Sequence, residues 1–344
     1  MGFIKPNKIS KGDTLGVFSS SLPAYTLNKE MFELAIKNME RSSFKVKLGF
    51  LAKDSISQGY RSGSAQDRAK EFMDLIKDPD VKALISGIGG SNSNSLIPYL
   101  DFDEIRRSKK VICGYSDITS LHLAILKFSG LKTLYGPDLF TCFGDHPMGI
   151  QDSINSLITA ITDDSLKPRK IKPFPKWSNH FRDWLTVDEW KDVTREWQEN
   201  DGWKVLNPGT VDGELVLTNL ETLLSSAGTP YFPDLKNKIL LIEALSAPWS
   251  REERSLRHLQ LLQVFEQIKG LIVGKPFIPD PEGAKFSLDD LILEIVGTRD
   301  YPIVMDFDCS HTFPMHTLQQ RSKVSIRATG KNTVDFEIKE SFVE

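Results

Sequence analysis

Three polar residues of this chain have the side chains that nucleophilic catalysis requires, and each follows an apolar run typical of a buried strand. Ser116 comes shortly after "KKVIC", Glu243 after "KILLI" and His311 after "PIVMDFDC". A serine hydroxyl needs a base, and an imidazole base needs an acidic partner that fixes its tautomer and stabilises the imidazolium. Loops that follow parallel strands converge at one sheet edge. The three residues therefore predict a Ser, His, Glu triad.

The stretch around Ser116, "GYSDIT", predicts a turn from a strand into a helix that begins near Asp117. Gly114 removes side-chain crowding there, and a helix N-terminus favours an anion. We predict that the backbone N–H groups of Asp117 and of Gly90, in the glycine pair of "SGIGGSNSN", stabilise an oxyanion. The turn is not a full G-x-S-x-G nucleophile elbow. Because serine is a preferred helix cap, Ser116 alone also fits a purely structural interpretation.

The other histidines compete less well for the role of base. His122 is six residues from Ser116, which places it about 240° around a helix and on a different face. His258 falls inside a helical pattern, and His146 and His180 lie in polar, loop-like stretches. The position of His311 at a strand end therefore favours it as the base.

Metal and dinucleotide sites are weaker alternatives. Asp306, Asp308, His311 and His316 could ligate a divalent ion, but the histidine spacing is not the i, i+4 pair of H-E-x-x-H. The "GIGG" stretch lacks the full G-x-G-x-x-G pattern, because Asn92 occupies the sixth position, and no acidic residue ends a strand about 20 residues later. We expect neither a metal nor a cofactor.

The elements that must position these residues alternate in a way that indicates an α/β fold. Over residues 1–165, short apolar runs alternate with helical patterns, which is typical of a parallel sheet covered on both faces. Strands are predicted at "TLGVFSS", "FKVKLGF", "VKALISG" and "KKVICG", and helices over 28–41, over 64–77 and from Asp117. In the second helix, residues 69, 72, 73, 75 and 76 form the apolar face.

The rest of the chain predicts a tryptophan-rich linker and a second domain. Residues 166–210 carry prolines, many charges and most of the tryptophans. Residues 211–344 predict a mixed α/β domain, with strands near 211–217, 238–242, 270–274, 302–306 and 323–327 and helices over 250–268 and 287–297.

Composition excludes several classes of protein. A net charge of −3 with 26% charged residues provides no strong field for nucleic acid or an anionic membrane. No signal peptide and no run of about 18 apolar residues is found. Cys113, Cys142 and Cys309 form neither a disulfide framework nor a C-x-x-C pair. We therefore expect a cytoplasmic protein that binds neither nucleic acid nor a membrane.

The stretches "GIGGSNSNSLIPYLDFDEI", "GYSDITSL", "LYGPDL", "ILLIEA" and "FDCSHTFPM" together resemble the LD-carboxypeptidase family of serine peptidases. The resemblance implies a flavodoxin-like N-terminal domain with the nucleophile and a second, swivelling β/α-type domain with the glutamate and histidine. Matched motif by motif, these residues are Ser116, Glu243 and His311. A homodimer is also implied.

Within this family, "GGSNSNS", "CSHTFPM" and the tryptophan-rich insertion are most similar to the microcin C self-immunity (MccF-like) branch. That similarity implies stacking of a nucleobase on Trp184, and less directly on Trp177, and a substrate contact at Asn219. The chain departs from the family where Leu217 and Thr218 replace a glycine pair and where Ala244 replaces a frequent acidic residue. These departures concern substrate detail.

The triad predicts a serine hydrolase, and the resemblance implies that it cleaves an amide-like bond between an aspartyl group and a modified nucleotide. A muropeptide carboxypeptidase that releases D-alanine from tetrapeptides is one alternative, although "GGSNSNS" offers no arginine for a terminal carboxylate. A protein that sequesters a nucleotide-like ligand without cleaving it is another, because stacking on tryptophan requires no triad.

Overall fold

The computed structural model describes residues 2–53, 57–165, 167–185, 189–243, 247–277 and 280–344. They form two sheets, with helices packed on both. In the first part of the chain the strands are β1 (Thr14–Phe18), β2 (Lys45–Leu48), β3 (Val81–Ser86), β4 (Val111–Gly114) and β5 (Leu134–Tyr135). The helices there are α1 (Ala24–Leu27), α2 (Lys29–Arg41), α3 (Phe50–Lys53), α4 (Ala65–Lys77), α5 (Phe102–Ser108), α6 (Thr119–Phe128) and α7 (Gln151–Thr162).

The second part of the chain supplies the strands β6 (Arg169–Ile171), β7 (Lys176–Trp177), β8 (Gln198–Glu199), β9 (Lys204–Asn207), β10 (Gly209–Asn219), β11 (Lys238–Glu243), β12 (Gly270–Gly274), β13 (Ile303–Phe307), β14 (Leu318–Gln319), β15 (Lys323–Thr329) and β16 (Thr333–Ile338). Its helices are α8 (Glu189–Asp192), α9 (Leu220–Ser225), α10 (Trp249–Leu261), α11 (Val264–Gln267) and α12 (Leu288–Val296).

The first sheet has the strand order β14-β5-β4-β3-β1-β2. All its neighbours are parallel except β14, which pairs antiparallel with β5. The central strands β1, β3 and β4 are largely buried because helices cover both faces of the sheet, whereas the edge strand β2 alternates lysine with apolar residues. Helix α4 buries the five apolar positions that its periodicity predicts, 69, 72, 73, 75 and 76. The parallel arrangement places the loops after β1, β3 and β4 at one edge.

The second sheet has the order β6-β16-β15-β10-β11-β12-β13-β9. Strands β10 to β13 are parallel, and the flanking strands are antiparallel. The predicted α/β class with a parallel first sheet and a mixed second sheet is confirmed. The domain boundaries at 165 and 210 stay a prediction, and β6 lies within the segment predicted as a linker.

The two sheets are joined where the carboxyl ends of their strands meet. Strand β14, which follows the second sheet's parallel strands in the chain, completes the edge of the first sheet. At the end of β10, the N–H of Asn219 donates to the Thr119 hydroxyl at the start of α6, at 3.0 Å. These connections bring loops from both sheets to one crevice.

Two predicted helix boundaries were wrong. The helix over 250–268 is two helices, because Gln263 adopts a left-handed φ of 55° between α10 and α11. The helix expected from Asp117 begins at Thr119, after a 3₁₀ turn. Within the described parts of the chain, no helix has both the length and the apolar character needed to cross a bilayer.

Candidate active site

Ser116 lies on a tight turn between β4 and α6. It begins the 3₁₀ turn Ser116–Ile118, and its φ of 63° lies in the left-handed region. This conformation is strained for a residue with a side chain, and such strain is found mainly at functional sites. A Cβ atom on Gly114 would lie 2.9 Å from Cγ1 of Ile118. Glycine at 114 therefore lets the turn pack, as the sequence predicted.

The turn brings Ser116 into a hydrogen-bonded chain with His311 and Glu243. His311 Nε2 is 3.0 Å from Ser116 Oγ, and His311 Nδ1 is 2.6 Å from Glu243 Oε2. Because a carboxylate can only accept, Nδ1 donates to Glu243, and Nε2 of the neutral ring accepts from the serine hydroxyl. His311 therefore bridges Ser116 and Glu243, so the three residues predicted from strand ends form one hydrogen-bonded chain.

The surroundings of His311 make it a stronger base than a free histidine. Burial lowers its pKa, but the charge of Glu243, the hydrogen bond to Glu243 and the charge of Asp138 together outweigh burial and raise the pKa above its usual 6.5. Glu243 has no exposed surface. A buried carboxylate stabilises the imidazolium that would form when His311 takes a proton.

The loop after β3 packs directly against the serine. A Cβ atom on Gly89 would lie 3.4 Å from Ser116 Oγ and 3.7 Å from the backbone nitrogen of Asp117. The space in front of Gly89 is therefore where a carbonyl oxygen could meet both the nucleophile and the Asp117 N–H. The sequence singled out Gly90, and the structure adds Gly89 as the residue whose missing side chain keeps this space open.

Side chains on both sides hold this loop in place. The Asp117 carboxylate accepts hydrogen bonds from the N–H groups of Asn92 and Ser93, each at 2.9 Å. Gly90 has a φ of 150°, and a Cβ on it would lie 2.2 Å from the Ser21 hydroxyl. Asp117 thus supplies a backbone N–H beside Ser116 and a carboxylate that fixes the loop carrying Gly90.

Asn219 contacts Glu243, the acidic residue of the predicted triad. Its Nδ2 donates to Glu243 Oε1 at 3.2 Å, while its Oδ1 caps α9 by accepting from the N–H of Thr222. Asn219 also lines a polar cavity on one side of Ser116 and His311. Its contact with a substrate stays a prediction.

The sequence analysis did not identify Tyr135, because this residue lies within an apolar strand. Its hydroxyl donates to Glu243 Oε1 at 2.5 Å and accepts from the Ser116 N–H at 3.1 Å. The only signal was its place in "LYGPDL", one of the stretches that carry the family resemblance. Asp138 of the same stretch is also buried, and burial raises its pKa to about 6 despite hydrogen bonds from Thr141.

A second cavity, on the other side of Ser116, has several aromatic side chains in its lining and is called the aromatic cavity below. These are Tyr115, Phe181, Trp184, Trp190, Phe277 and Phe313. The Trp184 ring packs edge-on against Phe181 at 4.6 Å and against Phe140 at 6.0 Å. Trp177 instead lines a separate cavity, where the Lys275 ammonium lies 5.3 Å from its ring. Trp184 and Ser116 are thus brought to one cavity, and Trp177 is not.

A buried ionic cluster attaches the Trp184 segment to the body of the protein. Asp145 Oδ1 accepts hydrogen bonds from Arg182 and from Arg195, the latter at 2.6 Å. Arg195 also donates to the backbone oxygen of His180, at 2.7 Å. All three charged side chains are less than 10% exposed. Asp145, Arg182 and Arg195 form an arginine-aspartate clasp, which holds the segment that carries Trp184 at the aromatic cavity.

Asp308 and His316, two of the residues considered as metal ligands, have other partners. Asp308 pairs with Lys275 at 2.9 Å and accepts from the Trp203 indole at 3.0 Å. His316 Nε2 bonds to the backbone oxygen of Lys172. Among the described residues, no group of three or more histidine, cysteine or acidic side chains could hold a metal ion.

His122 is also placed away from the hydroxyl of Ser116. It is fully buried, and its Nε2 lies 2.9 Å from the Gly114 carbonyl oxygen. Burial lowers the pKa of His122 to about 4. Ala244, noted as a departure from the family, lies outside the described residues.

Comparison with known proteins agrees with the fold. The model of the LD-carboxypeptidase N-terminal domain matches residues 15–136, and that of the C-terminal domain matches residues 212–326. The chain therefore belongs to the LD-carboxypeptidase family of serine peptidases, as the sequence resemblance predicted.

Individual relatives extend this similarity along the whole chain. The Escherichia coli microcin C7 self-immunity protein MccF is 35% identical over 94% of this chain and 93% of its own. A Vibrio cholerae protein classed provisionally as a carboxypeptidase is 36% identical over 89% of this chain and 90% of its own. The solved structure of MccF in complex with aspartyl sulfamoyl adenosine has a TM-score of 0.92 at 33% identity and covers 99% of this chain and 100% of its own.

Proposed function

We propose that this protein is a serine hydrolase that forms an acyl-enzyme on Ser116. The observation that carries the proposal is the continuous chain of two hydrogen bonds, 3.0 Å and 2.6 Å long, from Ser116 through His311 to Glu243. Nucleophile, base and orienting acid within hydrogen-bond reach are the general signature of an activated serine.

In the proposed reaction, Ser116 Oγ attacks a carbonyl carbon while His311 Nε2 takes the hydroxyl proton. Glu243 keeps the proton on Nδ1 and stabilises the imidazolium. The N–H groups of Asp117 and Gly90 hold the oxyanion. His311 then gives its proton to the departing nitrogen, and water, deprotonated by the same ring, hydrolyses the acyl-enzyme.

We propose an aminoacyl-nucleotide with an amide-like linkage as the substrate. The aromatic cavity beside Ser116 supports this proposal, because flat bases stack on rings such as that of Trp184. The similarity to MccF, whose structure is solved with aspartyl sulfamoyl adenosine, supports the same class. In this arrangement the nucleotide occupies the aromatic cavity and the acyl group occupies the polar cavity lined by Asn219.

Family membership and one structural observation favour a second candidate, a muropeptide carboxypeptidase. Arg182 and Arg195 line the aromatic cavity, and a terminal carboxylate is a common partner of arginine. Both, however, already share Asp145. Incubation with aspartyl sulfamoyl adenosine and, separately, with a muropeptide tetrapeptide, followed by mass spectrometry, decides between the two substrates.

The mechanism is tested by Ser116→Ala, with Ser120→Ala, a buried serine on α6, as the matched control. Loss of the nucleophile lowers kcat by roughly 10⁴- to 10⁶-fold, and the control retains activity. A fluorophosphonate probe should modify the wild type at Ser116 and leave Ser116→Ala unmodified. Retained turnover in Ser116→Ala would refute the mechanism, and nucleotide binding without probe labelling would support sequestration instead.

We also propose a reducing, cytoplasmic location and a homodimer. The three cysteines support the first, because all are buried free thiols whose pKa values are raised by burial. Homodimer formation is an implication of the family resemblance. Light scattering after size-exclusion chromatography tests it directly.

A further inference from the structure

Tyr135 connects the two ends of the hydrogen-bonded chain through a single hydroxyl group. The hydroxyl hydrogen points to Glu243 Oε1, at 2.5 Å, and a lone pair accepts the N–H of Ser116, at 3.1 Å. The side chain has no exposed surface, so it cannot touch a bound substrate. Burial and then the charge of Glu243 raise the pKa of Tyr135 well above 10, which keeps the hydroxyl protonated as a donor.

Glu243 depends on such donors. Its carboxylate is fully buried, and a buried charge is costly unless hydrogen bonds replace water. Oε2 receives the His311 proton, and Oε1 receives Tyr135 and Asn219. While His311 is neutral, none of the three donors to Glu243, which are His311, Tyr135 and Asn219, carries a positive charge. The hydrogen bonds from Tyr135 and Asn219 therefore help to stabilise the buried carboxylate.

The second hydrogen bond of the Tyr135 hydroxyl is with the strained turn at Ser116. Ser116 holds its left-handed φ of 63° only if its surroundings favour that conformation. The bond from its N–H to Tyr135 fixes the peptide plane before the nucleophile. Because β5 pairs with β4 through Cys113 and Gly114, the tyrosine approaches the turn from the neighbouring strand.

We propose that Tyr135 is a positioning residue that holds the strained Ser116 backbone and the Glu243 carboxylate in register through its one hydroxyl group. The inference rests on the proposed function. It adds a fourth member to the Ser, His, Glu set. Its two contacts predict separate consequences, one for the geometry of the nucleophile and one for the basicity of His311.

Loss of the Tyr135 hydroxyl is expected to make His311 more basic. A donor to Glu243 spreads the carboxylate charge and weakens its pull on the imidazolium. Removal of that donor therefore favours protonated His311 and shifts the acidic limb of the activity profile to higher pH. The titratable groups that face this pair are Asp138, Tyr115 and Cys309, in addition to Tyr135 itself.

The test is Tyr135→Phe, with the rate of fluorophosphonate labelling at Ser116 measured from pH 5 to pH 9. We expect labelling at pH 7 to fall by about 10- to 100-fold, as for loss of a hydrogen bond to a charged group, and the acidic limb to rise by about one pH unit. With a cleaved substrate, kcat should fall while KM stays unchanged. A 3-fluorotyrosine at position 135, a stronger donor of similar shape, should shift the limb downwards.

Tyr301→Phe is the matched control, since it also removes a buried hydroxyl, one that donates to the Phe265 backbone oxygen at 2.8 Å. It should leave the labelling profile unchanged. Absence of labelling in the wild type would refute the proposed function itself. The proposed role of Tyr135 would be overturned if the wild type and Tyr135→Phe were labelled with the same pH profile. It would also be overturned if 3-fluorotyrosine shifted the acidic limb in the same direction as phenylalanine.

Discussion

Gly89→Ala is the substitution that most directly tests where the substrate carbonyl sits. The added methyl group would lie 3.3 Å from Cβ and 3.4 Å from Oγ of Ser116, and 3.7 Å from the Asp117 nitrogen. No protein atom lies under 3.0 Å, and Gly89 does not have a left-handed φ. The backbone is also anchored, because Leu22 donates its N–H to the Gly89 oxygen at 3.1 Å. Alanine therefore fits with a shift of the Ser116 side chain by a few tenths of an ångström.

A bound substrate cannot accommodate the added methyl group of Gly89→Ala equally well. The attacked carbon must approach Ser116 Oγ to about 3–3.5 Å, and the developing oxyanion needs a donor at about 2.7–3.1 Å. A methyl group in the same space displaces the carbonyl from the Asp117 N–H. We expect kcat/KM to fall by about 10²–10³-fold, equivalent to about 2.7–4 kcal/mol, as for loss of one oxyanion donor.

Gly90→Ala provides the contrast. Its methyl group would lie 2.2 Å from the Ser21 hydroxyl and its φ of 150° disfavours any side chain, so we expect a loss of about 1–3 kcal/mol of stability. Thermal denaturation and kinetics on both variants separate the cases. Gly89→Ala should melt like the wild type and be nearly inactive. Wild-type kcat/KM in a folded Gly89→Ala protein would show that the carbonyl does not bind in front of this loop.

Two further predictions concern the aromatic cavity and acid stability. Trp184→Ala should raise KM for a nucleotide substrate by about 10- to 100-fold through lost stacking of ~1–3 kcal/mol, with Trp177→Ala near the wild-type value. Asp145→Asn, which releases the clasp, should raise the same KM, and steady-state kinetics on the three variants checks both effects. Burial lowers the pKa values of His122 and His316 to about 4. Because unfolded histidines protonate below about 6.5, their contribution to stability is full above that pH and is lost as pH falls towards 4, by about 2 kcal/mol each at pH 5. Denaturant titrations at pH 7 and pH 5 measure this loss, and a flat stability profile would contradict it.

Much of the site was predictable because parallel sheets impose a simple rule. Residues that follow apolar strands meet at one edge, so Ser116, Glu243 and His311 could be grouped although they are far apart in the chain. The main strands and helices were predictable because their apolar periodicity is continuous and strong.

The remainder depends on contacts that leave no local pattern. Tyr135 reaches Glu243 across 108 positions and, within its strand, looks like an ordinary buried aromatic residue. The clasp at Asp145 joins loops 37 and 50 positions apart. The left-handed Gln263 interrupts an unbroken helical pattern, and β14 is only two residues long. Periodicity carries no information about such pairings.

The order of the active-site segments along the chain affects when the enzyme gains its activity. Ser116 precedes His311 by 195 positions, and β14, which closes one edge of the nucleophile's sheet, is made later still. During synthesis, when N-terminal parts fold first, the serine is already in place but has no imidazole to deprotonate it. Under the proposed mechanism, a ribosome-bound precursor therefore has no serine hydrolase activity until the later strands have emerged.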